Sequence, residues 1–228
     1  MGVNDRADQT ALVARSSAGK SHYIKTLIEE RRPPRLLIWS PLETTDKYAR
    51  FGALIRHDMV KLVTKLQANV NDDFSVVFEP DRTDPKRLIV HFDQVCALVI
   101  ALAKRRPVLF IAEEVSQVTR PGWSPPRWQL ISTEGRHHGV ASIATTQRPA
   151  LVDKTYLAMA TMVRCGALQS KGDKTAMADL LDVPLADIRA LLPGQFIVKD
   201  AYTGALTHEG VVIADLPAAR PKRTRAAK

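Results

Sequence analysis

The chain has 228 residues, 45% of them hydrophobic and 25% charged, with 33 Lys and Arg against 24 Asp and Glu for a net charge of +9. That balance excludes a disordered or fibrous protein and is enough for one sizeable core. The longest purely apolar run, Val95 to Ala103, is nine residues where a bilayer span needs about 20, and the polar start MGVNDRADQT lacks the apolar stretch of a secretory leader.

In chain order, residues 1–10 read as an N-terminal tail, 11–216 as a single α/β domain, and 217–228 as a basic disordered tail. Short apolar runs alternate with longer amphipathic stretches, the pattern of strands joined by crossover helices in a mostly parallel sheet. The first strand is placed at Ala11 to Ala14. It runs into ARSSAGKS, Ala14 to Ser21, which opens a helix over Lys20 to Arg31. This matches the phosphate-loop pattern GxxxxGK[ST] except that Ala14 stands for the first glycine. Small residues are needed there because backbone N–H groups wrap a phosphate, and the helix presents its positive end to the same anion. Ser16, Ser17, Ala18, Gly19, Lys20, Ser21 and His22 are therefore the candidate nucleotide contacts. Lys20 would reach the β- and γ-phosphates of ATP, and the Ser21 hydroxyl would ligate Mg²⁺.

Next come a strand at Arg35 to Ser40, a helix at Asp58 to Gln67, a strand at Phe74 to Phe78 and a helix at Leu88 to Lys104. The following strand, Val108 to Ala112, ends in Glu113 and Glu114. Paired carboxylates at a strand end after a phosphate loop suit a metal-side acid and a general base, here Glu113 and Glu114 respectively. Aspartate is commoner in the first role, so Glu113 is a departure. A helix over Pro126 to His137 leads to a strand at Val140 to Thr145, which ends in Thr146-Gln147-Arg148-Pro149. His137-His138 has no acid or cysteine at zinc-site spacing, so a metal reading is rejected. A strand at Met162 to Leu168 and a helix at Lys174 to Leu181 precede a terminal hairpin. That hairpin is placed at Gln195 to Asp200 and Glu209 to Ala214, joined through Tyr202-Thr203-Gly204. Cys96 and Cys165 lie in apolar segments without a CxxC motif, which suits buried thiols in a reducing compartment. In the tail, Arg220, Lys222, Arg223, Arg225 and Lys228 supply five of the nine net charges. Such a tail is equally a phosphate-polymer contact or a solvated end.

The ordered set ARSSAGKS, LFIAEE, GRHHG and ATTQRP resembles the FtsK/HerA superfamily of P-loop ATPases. Within it, the set looks like the small genome-packaging ATPases of tectivirus-type, internal-membrane phages. The resemblance covers about Ala11 to Leu168, and ATTQRP is its most discriminating piece. It implies a P-loop NTPase fold of the RecA-like ASCE type, a three-layer sandwich around a central, mostly parallel sheet. It also implies that Gln147 senses the γ-phosphate, and that Arg136 or Arg164 reaches into a neighbouring subunit's site. The implied function is an ATP- and Mg²⁺-dependent motor that pumps double-stranded DNA into a capsid. It would work as a homo-oligomeric ring, a hexamer, held by capsid vertex or portal proteins, in the virion or host cytoplasm. Two alternatives stay open: a nucleotide-dependent DNA-binding or assembly module with little hydrolysis, for which Ala14 and Glu113 speak, and a non-packaging pump of the same superfamily. A small-molecule kinase is weaker, because no lid or substrate pocket is legible.

Overall fold

The computed structural model describes residues 8–42 and 47–210. The proposed basic tail and the hairpin residues 211–214 lie outside these, as do residues 1–7. The elements in order are β1 (Gln9–Val13), α1 (Lys20–Arg31), β2 (Arg35–Trp39), β3 (Ala53–Arg56), α2 (Met59–Ala68), β4 (Phe74–Glu79), α3 (Pro85–Ala103) and β5 (Val108–Ala112). They continue with α4 (Pro126–Glu134), β6 (Val140–Thr146), α5 (Lys154–Met159), β7 (Met162–Gly166), α6 (Lys171–Leu181), α7 (Leu185–Ala190), β8 (Gln195–Asp200) and β9 (Leu206–Gly210). Among the described residues nine strands form one mixed sheet in the order β3-β4-β2-β5-β6-β1-β7-β8-β9. All neighbouring pairs from β3 to β7 are parallel, and β8 and β9 add the antiparallel hairpin. This is the α/β, mostly parallel architecture expected from the alternation of runs.

The pleat sends alternate residues to two cores. Ala11, Val13, Leu37, Trp39, Phe110 and Ala112 face one core, packed under α2 to α7. Leu12, Leu36, Ile38, Leu109 and Ile111 face the other, covered chiefly by Ile24, Leu27 and Ile28 of α1. The first core holds a chain of aromatic contacts from Trp39 through Phe92 to Trp128 and Tyr156, so Trp39 and Trp128 are core residues. Burial pushes the thiols of Cys96 and Cys165 up from their usual range, which leaves both unreactive in the interior.

Several boundaries move. Gln9 and Thr10, read as tail, begin β1: Gln9 Nε2 donates to the Ile131 carbonyl at 2.6 Å, and the strand pairs β6 and β7 on its two sides. Polar side chains buried by hydrogen bonding hid that start. α3 begins at Pro85 rather than Leu88, because Asp84 caps it by accepting from the N–H of Lys86 and Pro85 needs no donor there. Ser170 likewise caps α6 by accepting from the N–H of Asp173, so that helix begins at Lys171 rather than Lys174. α4 ends at Glu134, and Gly135–His138 follows as a 3-10 turn. The hairpin's second strand begins at Leu206 rather than Glu209, because Lys199 pairs with Leu206 and Gln195 with Gly210.

Candidate functional site

The carboxyl ends of β1, β2, β5 and β6 lie side by side, the position where open parallel sheets gather ligands. A pocket of about 330 Å³ opens there, lined by the loop residues Ser16, Ser17, Gly19, Lys20, Ser21 and His22, by Glu113, Glu114 and Gln147, and by Leu42 and Lys47. Six of the seven predicted nucleotide contacts thus share one cavity with both strand-end acids and the glutamine. The seventh, Ala18, is 1% exposed and turns its methyl into the α1-side core, so only its backbone serves the loop.

The loop's shape follows from its residue types. Ser17 and Gly19 adopt left-handed backbone, at φ 58° and 104°, and the second is where glycine relieves the Cβ clash. Ala14, at the position usually held by the first glycine, is not among the left-handed residues, so its Cβ costs no backbone strain. Space for that methyl comes from β7. A Cβ on Gly166 would stand 3.0 Å from Ala14 Cβ and 2.8 Å from the Phe196 ring. The missing glycine of the loop is thus matched by a glycine on the neighbouring strand.

Lys20 folds back on the loop, donating from Nζ to the carbonyl oxygens of Ala14 at 2.6 Å and Arg15 at 3.1 Å. Burial lowers its pKa to about 8, against the opposing pull of the Glu114 and Glu113 carboxylates. Glu114 sits just past β5 in left-handed backbone, φ 50°, a conformation that costs a non-glycine residue about 1 kcal/mol or more. Its N–H donates to Thr145 Oγ1 at 3.1 Å, and its carboxylate accepts from Gln147 Nε2 at 3.0 Å. The turn after Gln147 is anchored by the buried Asp173 of α6. Asp173 accepts from Arg148 Nε at 2.9 Å, from the Ala150 N–H at 3.1 Å and from Ser170 Oγ at 2.5 Å.

Glu113 has partners that sequence spacing did not reveal. Lys47 Nζ lies 2.7 Å from each carboxylate oxygen, Tyr48 donates its hydroxyl at 2.6 Å, and Ser40 Oγ donates at 3.3 Å. Lys47 stands 66 residues before Glu113, in a connection with no motif. The only hint was a lysine and a tyrosine in an otherwise polar loop.

The pocket's donors suit a nucleotide and a hard divalent cation. Backbone N–H groups and Lys20 would meet phosphate, and Ser21 and Glu113 would offer oxygen to the cation. Among the described residues no group of three or more His, Cys, Asp or Glu could hold a metal alone. A cation here would therefore share its shell with phosphate oxygens.

Neither candidate arginine lines this pocket. Arg136 lies at the opposite, amino-terminal end of the strands, beside a groove of about 800 Å³ that includes Arg31, Arg106, His137 and Tyr202. Its guanidinium donates to the Tyr202 hydroxyl. Arg164 on β7 is 6% exposed, paired with Glu209 of β9 and stacked 4.1 Å over the Tyr23 ring.

No family model matches the chain. Protein P9 of Pseudoalteromonas phage PM2 is 36% identical over 102 residues, 44% of this chain. The match spans 47% of that relative's length, about half of it. Among solved structures, the genome packaging NTPase B204 of Sulfolobus turreted icosahedral virus 2, in complex with AMPPCP, superposes with a TM-score of 0.72 at 16% identity, covering 91% of this chain and 99% of that one. VirB4 of Thermoanaerobacter pseudethanolicus gives a TM-score of 0.67 at 12% identity, covering 95% and 92%. The chain is thus similar in sequence to a phage protein, and in fold to a viral genome packaging NTPase and to VirB4.

Proposed function

We propose that the chain is an ATP hydrolase whose turnover drives double-stranded DNA into a viral capsid. The observation that carries the hydrolase reading is that Lys20, Ser21, Glu113, Glu114 and Gln147, drawn from three separate segments of sequence, line one pocket. Glu114 is the general base. Its carboxylate accepts the proton of the attacking water, while Gln147, already hydrogen-bonded to it, orients that water and the terminal phosphate. Lys20 leaves the loop carbonyls for the phosphates. Ser21 and Glu113 would hold Mg²⁺, which when bound offsets the charge developing on the phosphate oxygens.

The packaging role rests on the phage relative and on the packaging NTPase of the same fold. It brings with it double-stranded DNA, a homo-oligomeric ring of six, and a capsid vertex or portal partner in the virion or host cytoplasm. Among the described residues no helix is long and apolar enough to cross a membrane. Arg136 is assigned to act in trans, since it stands at the far end of the sheet from its own pocket. Arg164, closed in by Glu209 and Tyr23, is the weaker assignment. The pairing of Glu113 with Lys47 favours a second reading, a DNA-binding module gated by nucleotide with slow turnover.

Steady-state ATP hydrolysis with and without long double-stranded DNA, at one stated salt concentration, separates the two. For a motor, DNA raises the rate, Glu114→Gln lowers it at least about 100-fold with nucleotide binding intact, and Lys20→Ala abolishes both. A rate indifferent to DNA and to Glu114→Gln would leave the gated module.

A further inference from the structure

Resting on the nucleotide-hydrolysis reading of this pocket, we propose that Lys47 is the residue that recognises the terminal phosphate and so tells a nucleoside triphosphate from a diphosphate. Lys47 belongs to no phosphate-loop element. It reaches the pocket from the connection between β2 and β3, lines it together with Glu114 and Gln147, and is bonded to Glu113, the residue next to Glu114 in sequence. The reacting phosphate must lie near Glu114 if that carboxylate is to activate water against it.

Three features make its ammonium transferable rather than fixed. Glu113 keeps two further donors, the hydroxyls of Tyr48 and Ser40, so its carboxylate is not stranded when Lys47 moves away. The lysine side chain is 23% exposed against 3% for Glu113, so the mobile partner is the one open to the pocket. The Tyr48 ring lies 4.7 Å beneath the ammonium and steadies the long stem at the pocket wall. The charge of Lys47 is also felt at Lys20, whose pKa it helps to lower. Two ammonium groups therefore share one cavity, balanced by Glu113 and Glu114. A triphosphate brings the extra anion that draws Lys47 off Glu113 and frees that carboxylate for the cation entering with the nucleotide. A diphosphate leaves Lys47 where it is.

The test is equilibrium binding to the full chain of ATPγS and of ADP, each with Mg²⁺, for wild type, Lys47→Met and Lys47→Arg. Wild type is expected to prefer ATPγS. Lys47→Met should lose about tenfold in ATPγS affinity, the size of one charge-assisted hydrogen bond, with ADP affinity changed by less than about twofold. Lys47→Arg should keep most of the preference. Equal losses for both nucleotides, or an unchanged preference in Lys47→Met, would overturn the role of Lys47. If Lys47→Met melts below the binding temperature, Lys47→Gln removes the charge while keeping a hydrogen-bond donor for Glu113, and the same ratio decides. Wild type binding neither nucleotide would instead overturn the parent reading, so the two failures are distinguishable.

Discussion

At Lys20 the pocket stores a cost that the phosphates of the proposed nucleotide would relieve. Burial holds its pKa at about 8 against an unfolded value of 10.5, so the folded chain binds this proton less readily than the unfolded chain. The penalty is therefore full below about pH 8 and fades as pH rises toward 10.5. Lys20→Met should therefore raise the melting midpoint at pH 7, by about 2–4 °C for each kcal/mol relieved in a chain of this size, and the gain should vanish near pH 10.5. Nucleotide affinity should move the opposite way. Phosphate binds the charged lysine, so wild-type affinity should fall as pH passes about 8, with proton uptake on binding above that point. Calorimetry in two buffers of different ionisation enthalpy reads that uptake directly, and a pH-independent affinity from 7 to 9.5 would contradict it. Glu114 is the other residue under tension. Its left-handed backbone is held by the Thr145 and Gln147 contacts, and Gln147→Ala should reduce turnover while leaving ADP affinity within about threefold, since the proposed role of the glutamine lies with the base and the terminal phosphate that ADP lacks.

Between elements, the fit of β1 against β7 decides whether the phosphate loop can tolerate alanine in place of its first glycine. Gly166→Ala would drive a methyl to 3.0 Å from Ala14 Cβ and 2.8 Å from Phe196, overpacking worth about 1–3 kcal/mol. Restoring glycine at position 14 removes one of those two contacts. The double variant Ala14→Gly with Gly166→Ala should thus recover part of the loss in urea unfolding, and strict additivity would refute the coupling. The α6 anchor works the same way: Asp173→Ala leaves Arg148 and the Ala150 N–H without their acceptor, and should cost about 1–3 kcal/mol while loosening Gln147. Legibility from sequence divides along the same line. α1 and β5 were read to the residue, because a lysine-serine helix start and a five-residue apolar run are local signals. β3, four residues at the sheet edge with Ile55 alone fully buried, carries an apolar run of only three residues, Ala53 to Ile55, too short to announce a strand. α5 and α7, six residues each, are too short to show a helical period. Within the site, the loop, both acids and Gln147 were legible because each sits at the end of a recognisable strand. Lys47, Tyr48, Ser40 and the Ala14–Gly166 match were not, since each exists only as a contact between distant segments.

The molecule as a whole presents a pocket at one end of its strands and an arginine-rich groove at the other, with Arg136 in the groove and not in the pocket. A residue so placed contributes to catalysis only if a second copy brings its groove end to this pocket, as a closed ring of head-to-tail contacts does. The consequence can be tested without knowing the ring's size. Lys20→Ala has a dead pocket and an intact arginine; Arg136→Ala has an intact pocket and no arginine to lend. Each alone should be inactive. Mixed in equal amounts and allowed to exchange, about one contact in four pairs an intact pocket with an intact arginine, so ATP hydrolysis should return to a substantial fraction of that share. An arginine acting within its own chain allows no such return, because no subunit in the mixture carries both groups. The same mixture made with Arg164→Ala should stay silent: removing that guanidinium unpairs Glu209 on the edge strand, and a loss of β8–β9 packing cannot be supplied by a neighbour. Recovery with Arg136→Ala and not with Arg164→Ala would assign the trans role and give the head-to-tail order of the ring in one measurement.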